Sequence, residues 1–281
     1  MPAAAMLERR HSRIWSRGAR WLQARSYQPT LRKNRRVALR DATTRLFERR
    51  ERMVEEAKTA AVPKGHKGIG IIGMEGFIAT WYARQTAKDI EEFRSTARQL
   101  APHIKAGDRV LEIAPGPGYL AIELQRLTRC RMVGVDISNT FVRIATENAL
   151  NAGVDIAFDR GDAADLPLPA NVFDFILCRA AFKNFAQPLA ALDEMHRVLK
   201  PGGAAVIMDL RKDFLPQEVD DYVSGKGMIN AALIKLIFNT MLKRRAYTRE
   251  AIAHLAAQSQ FRQSEVRVVP LGFELWLHKP S

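Results

Sequence analysis

The sequence predicts an α/β fold: a doubly wound seven-stranded sheet, mostly parallel, with an antiparallel C-terminal hairpin and helices on both faces. Three observations predict it. Strand-length apolar runs alternate with helical periodicity from Asp108 to Leu210, the pattern of βαβ units whose sheet is covered on both sides. The first of those runs ends in a glycine turn that leads straight into a helix. The last two runs, SEVRVVPL (264–271) and FELWLHK (273–279), are separated by Gly272 alone, a connection that only an antiparallel pair can make.

The elements follow in chain order. Residues 1–60 show no strand pattern and read as a basic, partly helical extension. Leu7, Ile14, Trp15, Trp21 and Leu22 recur there at helical spacing, with Arg10, Arg13, Arg17, Arg20 and Arg25 between them. Residues 61–76 are a glycine-rich linker. Gly68, Gly70 and Gly73 spell G-x-G-x-x-G within it, but no strand precedes them, so the context a phosphate-cradling loop needs is missing. Residues 77–281 form the main domain, with helical cap elements at 77–100 and 214–245. Helical periodicity from Met74 to Leu100 puts Phe77, Ile78, Trp81 and Tyr82 on one side.

DRVLEIA (108–114) is the first strand, followed by a glycine turn and a helix through Leu127. RMVGVD (131–136) is the second strand, and the helix over 138–153 after it is closed by Gly153. VDIAFDRGD (154–162) and FDFILCRA (173–180) are the third and fourth strands. PLAALDEMHRVL (188–199) is a helix stopped by Pro201-Gly202-Gly203, and AAVIMDL (204–210) is the fifth strand. Helical patterning covers 228–243 and 248–258 before the closing hairpin.

Composition narrows the class. The chain of 281 residues is 47% apolar, enough for a core and against global disorder. No apolar run approaches the roughly 20 residues that span a bilayer. Cys130 and Cys178 have no CxxC or histidine partner, and read as reduced core residues of a cytoplasmic protein without a metal site. The net charge of +14 is uneven: residues 1–60 hold 16 Lys plus Arg against 6 Asp plus Glu, a net of +10. The basic amphipathic stretch fits an anionic membrane surface, an organelle-targeting peptide or a solvated tail. No nucleic-acid reading module accompanies it, so no specific nucleic acid is expected.

The chemistry centres on VLEIAPGPGYLAIEL (110–124), which begins in a strand and ends in a helix. Gly116 and Gly118 let the backbone turn tightly and approach a ligand. In open α/β sheets ligands sit at the carboxyl ends of the strands, where Glu112 lies. Asp136 ends the second strand, 20 residues after Gly116, where a carboxylate accepts hydrogen bonds from both ribose hydroxyls. Asp162 follows the third strand, placed for an adenine amino group, with the Ala163 amide for the ring. A nicotinamide enzyme is the alternative, because Gly116-x-Gly118-x-x-Ala121 also matches its fingerprint and Tyr222…Lys226 spells Y-x-x-x-K. Against it, Glu112 would repel a pyrophosphate, whereas S-adenosylmethionine carries positive amine and sulfonium groups and no phosphate.

VLEIAPGPGY, VGVDIS, GDAADLPLP, FDFILCRAAFKNF and EMHRVLKPGG resemble the successive motifs of class I methyltransferases, in the branch related to quinone-pathway and small-molecule enzymes. The resemblance covers roughly residues 75–281. It implies S-adenosylmethionine as cofactor, with Glu112, Ala114, Gly116 and Gly118 at the methionine part, Tyr119 at the end of the same cofactor loop, and Asp136 and Ile137 at the ribose. Asp162 and Ala163 would take the adenine, and Arg179 would stand beside the cofactor. Ala114 departs from the glycine of many members and is tolerable if its φ stays below zero. Similar enzymes roof the acceptor pocket with the N-terminal helix and the insertion after the fifth strand. That points to Phe77, Trp81 and Tyr82 above, Phe182, Asn184 and Phe185 at the fourth strand's end, and Arg211 at the fifth's; plain packing or a solvated loop would account for the same residues. The acceptor is expected to be small or lipid-like. Tyr82 and Asp209 are the candidate general bases, needed only if the nucleophile starts protonated.

Overall fold

The computed structural model describes residues 75–224 and 245–281. All of the described residues belong to one compact unit. The basic extension, the glycine linker with its G-x-G-x-x-G, the predicted helix at 228–243 and Lys226 lie outside the described residues.

Fourteen principal elements run in order among the described residues: α1 (Gly76–Thr86), α2 (Ile90–Leu100), β1 (Arg109–Ile113), α3 (Tyr119–Thr128), β2 (Arg131–Asp136), α4 (Asn139–Ala152), β3 (Ala157–Arg160), β4 (Phe173–Arg179), α5 (Pro188–Val198), β5 (Leu199–Leu210), α6 (Pro216–Val223), α7 (Arg249–Gln258), β6 (Ser264–Val269) and β7 (Gly272–His278). They build one seven-stranded sheet of order β3-β2-β1-β4-β5-β7-β6. The first five strands pair in parallel, and β7 runs antiparallel between β5 and β6. The order reverses beside β1, between β2 and β4, which opens a crevice at the carboxyl ends of those strands.

The strands read as continuous apolar runs because both faces are buried. Leu111, Ile113, Val135, Ile176, Cys178 and Ile207 pack with Leu192 and Met195 of α5 and Ile252 and Ala256 of α7. Val110, Met132, Phe175, Leu177 and Val206 pack on the other face with Leu100, Leu120, Leu124 and Ala145 from α2, α3 and α4. The period of two along each strand assigns each residue to one layer or the other. Ser138 caps α4, its hydroxyl accepting the Phe141 amide at 3.1 Å, and Gly153 closes that helix at φ +70°. Thr248 caps α7 the same way through the Ala251 amide. Among the described residues no helix is long and apolar enough to cross a membrane.

Four boundaries differ from the sequence reading. The helix expected over 74–100 breaks at a 3-10 turn, Ala87–Asp89, where the Thr86 hydroxyl donates to the carbonyls of Tyr82 and Ala83 and competes with the ladder. The third strand shrinks to Ala157–Arg160, because only those residues find partners on β2. Pro201-Gly202-Gly203 lies inside β5: a register shift opposite Phe173 and Phe175 absorbs it, and Gly202 and Gly203 bond to Lys279 beyond β7. Gly272 is the first residue of β7, and the hairpin turns at Pro270-Leu271 with Leu271 at φ +60°.

Candidate functional site

Register places three charged residues on one face of the sheet's carboxyl edge. Glu112 pairs with Gly134 of β2 and with Leu177 of β4, so Asp136 and Arg179, each two residues further on, emerge on the same side. That side is the layer packed by α2, α3 and α4. Gly134 is required there, since a Cβ would stand 2.4 Å from the Phe158 ring.

The loop from β1 to α3 is shaped by left-handed residues. Ala114 continues the ladder with its amide to the Val135 carbonyl at 2.8 Å, then turns at φ +55°. The expected negative φ is therefore corrected: after its last sheet bond the chain must drop abruptly, and Ala114 accepts the strain that a glycine would avoid. Gly116 (φ +54°) has nothing within 4 Å of where a Cβ would project, so it borders open space. Gly118 (φ +79°) is the opposite case. A Cβ there would meet the Phe158 ring at 2.9 Å and Ala145 at 3.0 Å. Asn148 of α4 holds the loop from below by donating to the Pro117 carbonyl at 2.9 Å.

Two loop amides are already committed. Gly116 donates to the Asp136 carboxylate at 3.0 Å, and Gly118 donates to the Pro115 carbonyl at 3.0 Å. These are the groups a pyrophosphate would need, so the loop is not prepared for one. Asp136 also accepts the Ser138 amide at 2.9 Å. Burial raises its pKa, while those two amides hold it down.

Buried carboxylates in this domain fall into two kinds. Glu274 is bonded to Gln99 and to the Trp276 indole. Asp209 takes the Lys183 ammonium at 2.8 Å, the Lys183 amide at 2.9 Å and the Leu210 amide at 2.7 Å. Both are satisfied structural groups. Glu112 is buried too, yet its Oε2 has no hydrogen-bond partner among the described residues. Burial pushes its pKa up to about 8, against the pull of Arg179 and the Ala121 amide and with a further push from Asp136. A desolvated carboxylate oxygen left without a partner is matched by a cationic group.

The remaining predicted residues are distributed as follows. Ile137 is 49% exposed just past Asp136. Asp162 is exposed, and its carboxylate closes its own turn on the Ala164 amide at 3.0 Å; the Gly161 amide ties this loop to the Asp136 carbonyl at 3.0 Å. Ala163 is partly buried against the core. Arg179 pairs with Glu92 of α2 and lies over the Phe93 ring at 5.0 Å. Tyr119 packs on Phe93 and donates to the Ala83 carbonyl of α1 at 3.2 Å. Tyr82 meets Phe141 edge-on at 6.0 Å, and burial raises its pKa. Phe182 is fully buried between Phe185 and Tyr247, a core residue rather than a surface a ligand can touch. Phe185 is half-buried, and Asn184 is exposed and accepts from Arg245 at 3.3 Å. Arg211 is no solvated loop residue: it donates to the Asp213 carbonyl at 2.8 Å and pairs with Glu218 of α6. Phe77 and Trp81 are exposed.

Three residues at the site carried no sequence signal. Glu75 accepts the Asn139 amide at 2.9 Å, the Thr140 amide at 3.1 Å and the Thr140 hydroxyl at 2.5 Å, which pins the start of α1 to the start of α4 beside Asp136. Glu92 and Lys183 become visible only through their partners. The Lys183–Asp209 pair is almost wholly buried, with side chains 7% and 0% exposed. Lys183→Met is expected to lose about 3–5 kcal/mol by leaving a buried charge unpaired. Urea denaturation should show that loss, with part of it recovered in Lys183→Met/Asp209→Asn. Among the described residues no group of three or more His, Cys, Asp or Glu is arranged to hold a metal.

A family model described as a methyltransferase domain matches residues 111–207, the span from β1 into β5. A demethylmenaquinone methyltransferase of Thermus thermophilus is 38% identical over 106 residues, 37% of this chain and 48% of that protein. A ubiquinone/menaquinone biosynthesis C-methyltransferase, UbiE, of Coxiella burnetii is 36% identical over 116 residues, 40% of this chain and 46% of that one. The chain thus spans about half the length of the curated relatives it matches. Among solved structures, one described as an S-adenosyl-L-methionine-dependent methyltransferase of Methanococcus maripaludis superposes with a TM-score of 0.63 at 20% identity, over 79% of this chain and 98% of that one. That similarity establishes the fold.

Proposed function

We infer that this chain, which carries a methyltransferase domain of the class I fold, transfers a methyl group from S-adenosylmethionine to a small, quinone-like or lipid-like acceptor. The observation that carries the reading is the buried Glu112 carboxylate, whose Oε2 has no hydrogen-bond partner among the described residues, on the same sheet face as Asp136, at a loop whose amides are spent on Asp136 and Pro115. The site fits an adenosyl cation: Glu112 for the amino group, Asp136 for the ribose, and the open side of Gly116 for the backbone of the ligand. The cofactor brings an already activated methyl carbon.

The protein's part is positional. Glu112 and Asp136 orient the cofactor, and the acceptor's nucleophile is held in line while water is excluded. Ile137 is assigned with Asp136 to the ribose, Asp162 and Ala163 to the adenine end, and Tyr119 and Arg179 beside the cofactor. Tyr82, Asn184, Phe185 and Arg211 remain the acceptor-side candidates. Tyr82 is the remaining general-base candidate, since Asp209 is occupied by Lys183, and it would act only after losing a proton that burial holds more tightly. The boundaries follow the sequence reading: a basic extension at 1–60, a linker at 61–76 and the transferase domain at 77–281.

Calorimetric titration with S-adenosylhomocysteine tests the assignment. Binding heat in the full-length chain and its loss in Asp136→Ala, with the thermal transition still cooperative, is the expected result. Absence of heat in the wild type, or NADPH binding in its place, would overturn it.

A further inference from the structure

Besides its sulfonium, S-adenosylmethionine carries an amine and an α-carboxylate at its amino-acid end. Glu112 answers the amine, and the carboxylate needs a cation close by. Arg179 ends β4. Leu177 of the same strand pairs with Glu112 of β1, so Glu112 and Arg179 leave neighbouring strands on one face of the sheet. The positive charge of Arg179 pulls against the raised pKa of Glu112 and against that of Tyr82 on α1, so it stands within reach of both. Its Nη2 donates to Glu92, and its guanidinium carbon lies 5.0 Å from the centre of the Phe93 ring, so α2 sets its direction. Among the described residues its hydrogen bonding goes no further, which leaves most of its N–H groups to give. The pair is half-wet, with Glu92 53% and Arg179 21% exposed, and an ion pair of that kind adds little to stability. Lys183–Asp209 is the contrast, sealed on both sides and structural. Two other arginines of α2 are spent on carboxylates at the surface, Arg94 on Glu91 and Glu123, and Arg98 on Glu91.

We propose that Arg179 takes the α-carboxylate of the cofactor's methionyl group, so that Glu112 and Arg179 together read a zwitterion and reject adenosyl thioethers that lack the carboxylate. The inference deepens the S-adenosylmethionine reading and rests on it. A planar guanidinium presents parallel N–H groups that match a carboxylate, and Glu92 occupies Nη2 alone. The order of charges fits as well. Outward from Glu112 the signs alternate through ligand amine, ligand carboxylate and guanidinium, so each charge has an opposite neighbour. Without the ligand carboxylate, the ligand amine and Arg179 face one another as like charges, and that repulsion excludes the decarboxylated form. Glu92 tunes the contact, because its carboxylate competes for the same guanidinium.

The test is a thermodynamic cycle on the full-length chain, read by calorimetry with two ligands. One is S-adenosylhomocysteine. The other is its decarboxylated analogue, which keeps the adenosine, thioether and amine and carries an aminopropyl group in place of the amino acid. The wild type is expected to prefer S-adenosylhomocysteine by roughly thirtyfold or more. Arg179→Met should bring the two ligands within about threefold by weakening S-adenosylhomocysteine, with the analogue bound at least as well as by the wild type. Glu92→Gln keeps an oxygen for Nη2 and removes the competing charge, so the preference should hold or widen there, a result that does not depend on whether Arg179→Met folds. A wild type that binds both ligands equally, an Arg179→Met that weakens both alike, or a preference lost in Glu92→Gln overturns the proposal and leaves the cofactor reading standing. No heat with either ligand in the wild type overturns both.

Discussion

Glu112→Gln is expected to weaken S-adenosylhomocysteine binding by about two orders of magnitude while making the ligand-free protein more stable at alkaline pH. The opposite signs come from one fact. The carboxylate is buried with no partner for Oε2 among the described residues, and its pKa in the folded chain is raised to about 8. Between the unfolded value near 4.5 and about 8, the folded chain holds a proton that the unfolded chain has released. Stability therefore falls as pH rises across that window and levels off above it. Glutamine removes the titration, so the variant and wild type should unfold at similar temperatures near pH 5 and diverge near pH 8.5, with the variant higher. Binding runs the other way. A cationic amine needs the ionised carboxylate, so wild-type affinity should rise by up to roughly tenfold per pH unit as pH approaches about 8. Calorimetry across that range, in buffers of different ionisation enthalpy, should record uptake of a proton by buffer on binding. PH-independent affinity, or a variant that binds normally, would remove Glu112 from the site.

The second large effect separates two glycines that look alike in the sequence. Gly118→Ala is expected to cost roughly 2–4 kcal/mol, because a Cβ at φ +79° collides with Phe158 and Ala145, both fixed in the core. In a domain of this size that is a loss of roughly 5–15 °C in Tm. Gly116→Leu should cost only about 1 kcal/mol, for its left-handed φ, since its side chain projects into open space. It should nevertheless abolish ligand binding by filling that space. Thermal unfolding and calorimetry on the two variants would thus give reversed rankings. A stable Gly118→Ala, or a Gly116→Leu that still binds, would contradict the loop's geometry.

The legible part of this protein was whatever a short window encodes. The βαβ alternation, the strand RMVGVD, the Ser138 and Gly153 caps and the closing hairpin each depend on residues within a turn or two of one another. The loop after β1 was legible for the same reason, down to its two glycines. Boundaries failed where distant pairing intervened: β5 absorbs Pro201-Gly202-Gly203 because Phe173 and Lys279 offer partners. Ala114 was misjudged because its φ is imposed by the bonds on either side of it, to Val135 and through Gly116 to Asp136.

The roles of the buried charges were not legible. Nothing near Asp209 announces that Lys183 will neutralise it, and nothing near Glu75 announces a helix N-terminus 64 residues on. Nor could periodicity tell that Phe77 and Trp81 face water while Tyr82 faces the domain. The sequence by itself determined the fold class, the glycine loop after β1 and the acids at the strand ends, since backbone preference and apolar period are local properties. Only the tertiary structure decided which acid is satisfied and which stands unpaired, because desolvation and charge pairing depend on what the folded chain brings within a few ångströms.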